Sequence, residues 1–520
     1  MPTKSEEQQF ILLPARGMTT RSAGSNPEVA SFLVSLSGSV GRQVTTASAP
    51  RGGGGRRARG GGGRSVSMRV LDSIHEDGAK LVEMSAQSMA DLRAEQPGMR
   101  IVPVVYYHTA AAPRPSIEEP AMAGRTRSAA AGVGVKTTIK LVSRTDGRPV
   151  AGADVVAFTD FAGRRGDQGT TNSKGEVSLA LGASSKKLER LYAFPKMGFW
   201  GLLRKNLTVS SGTQLSLRPL EMGFTDSKRF FYGDAPGGAG RGLKVGVIDT
   251  GIAAHPDLVI DGGVNTVVGE NPKDFGDNGE GHGTHVAGII AARGSAPTGI
   301  RGIAPNVTLR SYRVFGKNNP GASNFAIAKA IDRAVADGCD LINMSLGGGS
   351  PDIATQEAIA DARAQGVVIF AAAGNDGRSP VSFPALDSLA LAVSALGRKG
   401  SFPTDSTQNG DIQSPFGKPD KKNFIASFSN IGPEIDLTGP GVGVISTFPG
   451  GYAALDGTSM ACPAVAGIAA RLLSAPEHAA LLAMARSQAR SDAMAQVILQ
   501  AAKSLGFGPT FEGRGMILLN

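Results

Sequence analysis

The chain has 520 residues, 41% of them hydrophobic, a formal charge of +10 and two cysteines. That length exceeds one compact core and implies two to four domains, while two cysteines exclude a disulfide framework. No run approaches the roughly 18 apolar residues of a membrane span, and the polar start, Met1-Pro2-Thr3-Lys4, lacks the apolar run of a secretory signal. The expectation is therefore a cytoplasmic protein, with leaderless export as the alternative.

Residues 8–14 are expected as a strand, and 26–36 as a helix capped by Asn26 with Pro27 in its first position. The run 51–64 contains only Arg, Gly and Ala, so it buries no apolar area and should be a solvated loop. Such a tract can hold nucleic acid by charge, but it has no interleaved aromatic for stacking, which leaves nucleic acid an unfavoured partner. Strands over 67–74 and 79–84 flank the turn His75-Glu76-Asp77-Gly78. A helix over 86–95 ends at Pro97-Gly98, and a last strand covers 99–107. The order strand, helix, strand, strand, helix, strand is that of a ferredoxin-like α+β domain, assigned to residues 1–107.

Residues 108–132, rich in Ala, Pro and Arg, are expected as an exposed linker. From 133 to 222, short alternating runs at 137–142, 154–158, 175–181 and 213–217 are separated by turns such as Asp146-Gly147 and predict a small β-sandwich. No residue in it looks chemical, and Trp200, the only tryptophan, is expected in a core or a domain interface. Residues 223–520 alternate apolar strands (243–249, 307–314, 340–345, 367–373, 389–395) with helices starting near His282, Ala322, Asp352 and Ser459. That alternation predicts a doubly wound parallel α/β sheet, with its site at the strand carboxyl ends.

Three local sequences carry chemistry. Gly457-Thr458-Ser459-Met460-Ala461 puts a serine among small residues at a helix start, and a serine hydroxyl needs a base and an orienting group to act as a nucleophile. Gly281-His282-Gly283-Thr284-His285 supplies the base, and Val245-Gly246-Val247-Ile248-Asp249-Thr250-Gly251 the acid. Alone, Asp249 reads as a turn residue and His282 as a surface histidine. Together, in the order Asp, His, Ser, they resemble the subtilisin-like serine proteases over residues 225–520.

The resemblance implies a serine endopeptidase acting on polypeptides, with Ser459 as nucleophile, His282 as base and Asp249 as its orienting partner. It matches Ala371-Ala372-Ala373-Gly374-Asn375 to the oxyanion-hole segment, where the Asn375 amide acts beside the Ser459 N–H. Ser345-Leu346-Gly347 and Ala372-Ala373-Gly374 become two backbone walls that pair with an extended substrate, and Ser382 the floor of the pocket for the residue before the cut. His285 takes a supporting position and Cys462 a core one. Asp257 matches a calcium ligand of the family, but its partner loop, 293–299, offers no Asn or acid, and catalysis requires no cofactor. By position, residues 1–107 resemble the family's inhibitory propeptide, so the chain's own N-terminal domain is the expected inhibitor, with self-processing within 108–132. No membrane partner is expected. A catalytically silent subtilisin-like scaffold is the alternative reading.

Overall fold

Asn26 and Ser85 each precede a helix, and their side chains accept the N–H groups of Glu28 and Ser88 at 2.9 and 3.1 Å, which sets where both helices begin. The computed structural model describes residues 7–19, 26–47, 65–117, 136–183, 185–317, 319 and 321–519. Its N-terminal region runs β1 (Gln8–Leu13), α1 (Pro27–Ser37), β2 (Gln43–Ala47), β3 (Ser65–Ser73), β4 (Lys80–Met84), α2 (Ala86–Glu95), β5 (Arg100–Pro103) and β6 (Tyr106–Thr109). The first five strands form an antiparallel sheet in the order β2-β3-β4-β1-β5, in which β2 is an edge strand absent from the sequence reading. Alternation along the strands divides the apolar residues between two faces. Val66, Met68 and Val70 meet Val29, Leu33 and Leu92 of the two helices, while Ile11, Leu13 and Leu81 face the large C-terminal domain. The Arg/Gly-rich run 51–64, and 118–132 of the expected linker, lie outside the described residues.

The expected single strand over 99–107 is instead broken. Pro103 has no N–H to extend the ladder, so β5 stops there on the sheet edge. Residues 106–109 leave that sheet and become the middle strand of another, between β17 (Ala322–Ser323) and β19 (Leu346–Gly347) of the C-terminal domain. Residues 108–117 are thus laid along that domain and the next one, which departs from the expected exposed linker.

The middle region packs a three-stranded sheet, β10-β7-β13, on a four-stranded one, β12-β11-β8-β9. These are β7 (Lys136–Ser143), β8 (Asp154–Asp160), β9 (Arg165–Thr170), β10 (Glu176–Ala180), β11 (Ser185–Phe194), β12 (Leu202–Ser210) and β13 (Thr213–Leu217). Ile139, Val155, Leu179, Leu191 and Leu217 are among the side chains that fill the space between the sheets. Trp200 is 1% exposed, and its ring belongs to the core of the C-terminal domain, 5.2 Å from the Phe224 ring. Beside it Arg144 and Arg204 both reach Asp405, at 2.6 and 3.1 Å, and the Leu203 N–H donates to the Asp405 carbonyl at 2.8 Å.

The C-terminal domain contains α3 (Ser227–Tyr232), β14 (Lys244–Asp249), β15 (Ile260–Asn265), α4 (His282–Ala291), β16 (Thr308–Arg313), β17, α5 (Asn324–Ala336), β18 (Leu341–Met344), β19, α6 (Ile353–Ala364), β20 (Val368–Ala372), β21 (Ala390–Arg398), β22 (Asn423–Ile425), β23 (Ile435–Pro440), β24 (Val444–Phe448), β25 (Gly451–Leu455) and α7 (Thr458–Leu473). Its eight-stranded sheet has the order β15-β16-β14-β18-β20-β21-β22, with β23 also beside β21, and every pairing in it is parallel except that of β22. Helices α4 and α7 join the core on one face and α5 and α6 that on the other, so the strands read as continuous apolar runs. Among the described residues no single helix is long and apolar enough to cross a membrane.

Trp200→Ala should cost about 3–5 kcal/mol, because a large ring is removed from a close-packed site between two domains. Calorimetry should show a lower Tm, and limited proteolysis faster separation of the β-sandwich; an unchanged melt would mean that the ring does not couple the domains.

Candidate active site

Asp249 ends β14 and His282 opens α4, so both side chains emerge at the carboxyl edge of the sheet. The His282 Nδ1–H donates to Asp249 Oδ1 at 2.7 Å, and the same oxygen accepts the Thr250 N–H at 2.7 Å. Burial alone would pull the imidazole pKa down. The Asp249 charge and hydrogen bond, aided by Glu280 and Asp277, outweigh it and hold the pKa above its ordinary 6.5.

Ser459 lies in the first turn of α7, whose sixth residue is Pro463. A proline has no N–H to offer the carbonyl four residues back. That carbonyl belongs to Ser459, and the Ser345 hydroxyl donates to it instead, at 2.9 Å. The Ser459 hydroxyl in turn donates to the Ser345 carbonyl at 3.1 Å, and His282 Nε2 makes no hydrogen bond. The serine is therefore turned away from the imidazole in this arrangement.

Residues 106–112 fill the cleft beside it. The Ala110 N–H donates to the Ser345 carbonyl at 3.0 Å, and the Ala110 carbonyl accepts both the Ser459 N–H, at 3.1 Å, and the Asn375 side-chain amide. The orientation of Asn375 is set from the other end, where its Oδ1 accepts the Thr458 N–H at 2.9 Å and the Thr458 hydroxyl at 3.0 Å. Gly457 borders the same segment with φ near 150°. A Cβ there would stand 2.7 Å from the Ala110 carbonyl oxygen and 3.0 Å from the Ala112 nitrogen.

Of the two expected walls, one is paired with this segment of the chain. Leu346 and Gly347 pair with Thr109 and His108, and Ser345 holds Ala110. On the opposite side it is Ala322 and Ser323 that pair, with Tyr107 and Tyr106. Ala372, Ala373 and Gly374 do not pair with the segment, because other backbone already uses theirs: Ala372 is in register with Val393, Ala373 donates to Val393, and the Gly374 carbonyl accepts the Asn430 N–H. Gly374 instead leaves room for Ser382 and Asn430, since a Cβ at its φ of 106° would lie 2.5 Å from Ser382 Oγ and 2.4 Å from Asn430 Nδ2. Asn430 donates to Ser382 Oγ at 3.1 Å, and Ser382 Cβ is 3.7 Å from where a Gly347 Cβ would be, so Ser382 lies between the two backbone segments.

Tyr107, 1% exposed, is the deepest anchor of the segment: its ring lies 5.8 Å from that of Phe383 and its hydroxyl donates to Asp352 Oδ2 at 2.5 Å. Sequence reading missed this pocket and the Ala322–Ser323 wall. A two-residue strand has no periodicity to detect, and Asp352 showed only as the start of a helix, which it also caps by accepting the Thr355 N–H.

His285 is buried, with its pKa pushed down to about 3 by burial, and its Nε2 lies 3.1 Å from the carbonyls of Val444 and Ala453, tying α4 to the β24–β25 hairpin. Burial pushes the Cys462 thiol up, and its sulfur faces the core at 3.9 Å from the Met344 carbonyl. Asp257 faces proton donors, accepting the Ile300 N–H and the Tyr452 hydroxyl at 2.9 Å each, so these surroundings do not fit a cation. Among the described residues no group of three His, Cys, Asp or Glu side chains could hold a metal ion.

The site can bind an extended chain and direct two N–H donors at one of its carbonyls. Comparison with known proteins points the same way. The pattern of the subtilase family matches residues 240–515. The chain is 43% identical to subtilisin DY of Bacillus licheniformis over 246 residues, 46% of this chain and 80% of that one. Identity to subtilisin BL of Lederbergia lenta is 42% over 232 residues, 44% of this chain and 76% of the relative. With alkaline elastase YaB of a Bacillus species it is 42% over 236 residues, 45% and 55% of the two chains. With the Asp, His and Ser segments inside the matched span, the chain belongs to the subtilase family and is a subtilisin-like serine endopeptidase.

Proposed function

We propose that Ser459, His282 and Asp249 are the catalytic triad of this endopeptidase, and that residues 1–110 form an intramolecular inhibitor severed from the enzyme, but still bound to it, by self-cleavage between Ala110 and Ala111. The observation that carries both statements is the Ala110 carbonyl, held by the Ser459 N–H and the Asn375 amide where an oxyanion would develop. Rotation of the Ser459 hydroxyl from the Ser345 carbonyl toward His282 Nε2 starts the reaction. Ser459 Oγ then attacks the Ala110 carbonyl carbon while Nε2 takes its proton, and Asp249 steadies the imidazolium. Collapse expels the Ala111 amine with that proton, and water releases the Ala110 carboxylate from the acyl-enzyme.

The cut product stays in place because the contacts that hold it do not involve the broken bond. Pairing on both sides of β6, the Tyr107 pocket, the Lys329–Asp72 and Arg100–Glu357 ion pairs and the apolar contact with α5 and α6 all lie before Ala110. The order β5-β1-β4-β3 within the N-terminal sheet matches the ferredoxin-like arrangement, with β2 added at the edge, and supports a propeptide-like domain. Ser382, between the segments that flank Ala110, serves as the pocket floor and favours a small or apolar residue before the cut. The silent-scaffold reading is not favoured, since two donors converge on a single carbonyl.

Three outcomes test this. Intact mass should show wild-type protein split after Ala110 and Ser459→Ala uncut, and an uncut, active wild type would overturn the inhibitor assignment. Asn375→Ala should lower kcat by about 10² to 10³ with little change in KM, a magnitude that belongs to subtilisin and is carried over here; an unchanged kcat would remove Asn375 from the hole. Because His282 must be neutral to accept a proton, kcat/KM should rise with pH through its raised pKa. Asp249→Asn removes the charge that offsets burial, so the rise should move to lower pH while kcat falls roughly 10⁴-fold; an inflection that stays put would show that Asp249 does not govern the imidazole.

A further inference from the structure

The chain beyond Ala110 is held as carefully as the chain before it, and most of the holding is done by the β-sandwich. The Ala112 N–H donates to the Asp456 carbonyl at 2.9 Å, after which the segment crosses from the catalytic domain to the four-stranded sheet. The Arg114 guanidinium lies 4.9 Å from the centre of the Phe194 ring, with Nη1 3.4 Å from Asp154 Oδ2. Arg164 Nη1 donates to the Ser116 carbonyl at 3.1 Å, and Gln168 Oε1 accepts the Ile117 N–H at 2.9 Å. The Ile117 side chain packs on Val156, Phe158, Tyr192 and Leu203, flanked by Phe161 and Phe194.

That apolar face is not needed for the sandwich's own core. Residues of opposite parity on the same strands, such as Val155, Ala157, Leu191 and Ala193, already fill the space between the two sheets. The sheet is therefore apolar on both sides, and its second side carries an aromatic cluster, with ring centres of Phe158, Phe161, Tyr192 and Phe194 at 5.0–6.4 Å. Beside residues 111–115, an open space of about 710 Å³ extends from Asn375, past Asp456, to Tyr192 and Phe194 of this cluster, so the segment does not fill the trough it lies in. Pro113 and Pro115 keep the occupying chain extended, so few conformations are lost when it docks.

We infer that this face of the β-sandwich is a binding site for the part of a polypeptide substrate that follows the cut bond, and that it selects a cationic residue four positions, and an aliphatic residue seven positions, after that bond. The inference rests on cleavage at Ala110–Ala111, which sets the count. Once that bond is cut, residues 111–117 are continuous with the enzyme only at their far end. Their grip is exchangeable, for the Arg114 and Asp154 side chains are 47% and 50% exposed. An incoming substrate can replace them on the same contacts.

The test compares Tyr-His-Thr-Ala-Ala-Ala-Pro with the same peptide extended by Arg-Pro-Ser-Ile, both internally quenched. The enzyme is the processed protein carrying Arg114→Glu and Ile117→Asp, so that its own segment leaves the face, matured with a trace of wild type if self-cleavage is slowed. The longer peptide should have a kcat/KM roughly five- to tenfold higher, the size of one exposed ion pair and one cation–π contact together. Adding Phe194→Ala and Asp154→Ala should lower the ratio, and adding Tyr192→Ala as well, which opens the Ile117 contact, should bring it to about one. Equal rates for the two peptides, or a ratio that survives those substitutions, overturns the inference. Anisotropy of labelled Ala-Ala-Pro-Arg-Pro-Ser-Ile reads the face without hydrolysis: binding that is lost in Phe194→Ala/Asp154→Ala/Tyr192→Ala while neither peptide is cut means the triad reading has failed and the face stands, whereas absence of binding overturns the face.

Discussion

Two N–H groups aimed at one point are the constraint on which this molecule turns. The Ser459 N–H is free because it lies in the first turn of a helix, where no carbonyl precedes it to accept. The Asn375 amide has to be brought to the same point from β20, and Thr458 on that first turn holds its other end by two hydrogen bonds. The helix that carries Ser459 therefore also orients the second donor. Pro463 extends the link, since the carbonyl it leaves unpaired is taken by Ser345, whose own carbonyl accepts the Ala110 N–H. Ser459, Thr458, Asn375 and Ser345 are thus joined by a short chain of hydrogen bonds.

Much of this could be read from residue order alone, because the site is built from short local sequences whose chemistry is plain: an acid ending an apolar strand, a histidine at a glycine-rich helix start, a serine among small residues. The parallel sheet was equally plain, since strands buried on both faces leave continuous apolar runs. What escaped were features that depend on distant backbone. The expected wall at 372–374 lies at and just beyond the end of a central strand, where its backbone hydrogen bonds are already used, and only the assembled sheet shows that. Tyr107 looked like the end of a β-strand, yet it is the anchor of a segment that changes partners after Pro103. The edge strand over 43–47 and the short strands at 322–323 and 346–347 are too short or too polar to carry a period.

The β-sandwich joins the enzyme through two kinds of contact. Trp200 inserts into the catalytic core, an arrangement in which a single large ring buries more area than any polar pair could. Around it, Arg144 and Arg204 share Asp405, a geometry that fixes rotation about that ring more than it adds stability. The sandwich is thereby held in a defined orientation against the cleft, which is what a surface in contact with residues 113–117 requires.

Gly457 draws these threads into a single atom. The floor of the cleft at this position is bare backbone, and the chain lying on it comes so near that one added methyl carbon would press on both the Ala110 carbonyl oxygen and the Ala112 nitrogen. The cleft thus has a one-carbon gate, open only because a hydrogen stands where every other amino acid has carbon. Since that hydrogen reads no side chain, passage along the floor is indifferent to sequence, and discrimination among polypeptides falls to the pockets at its edges.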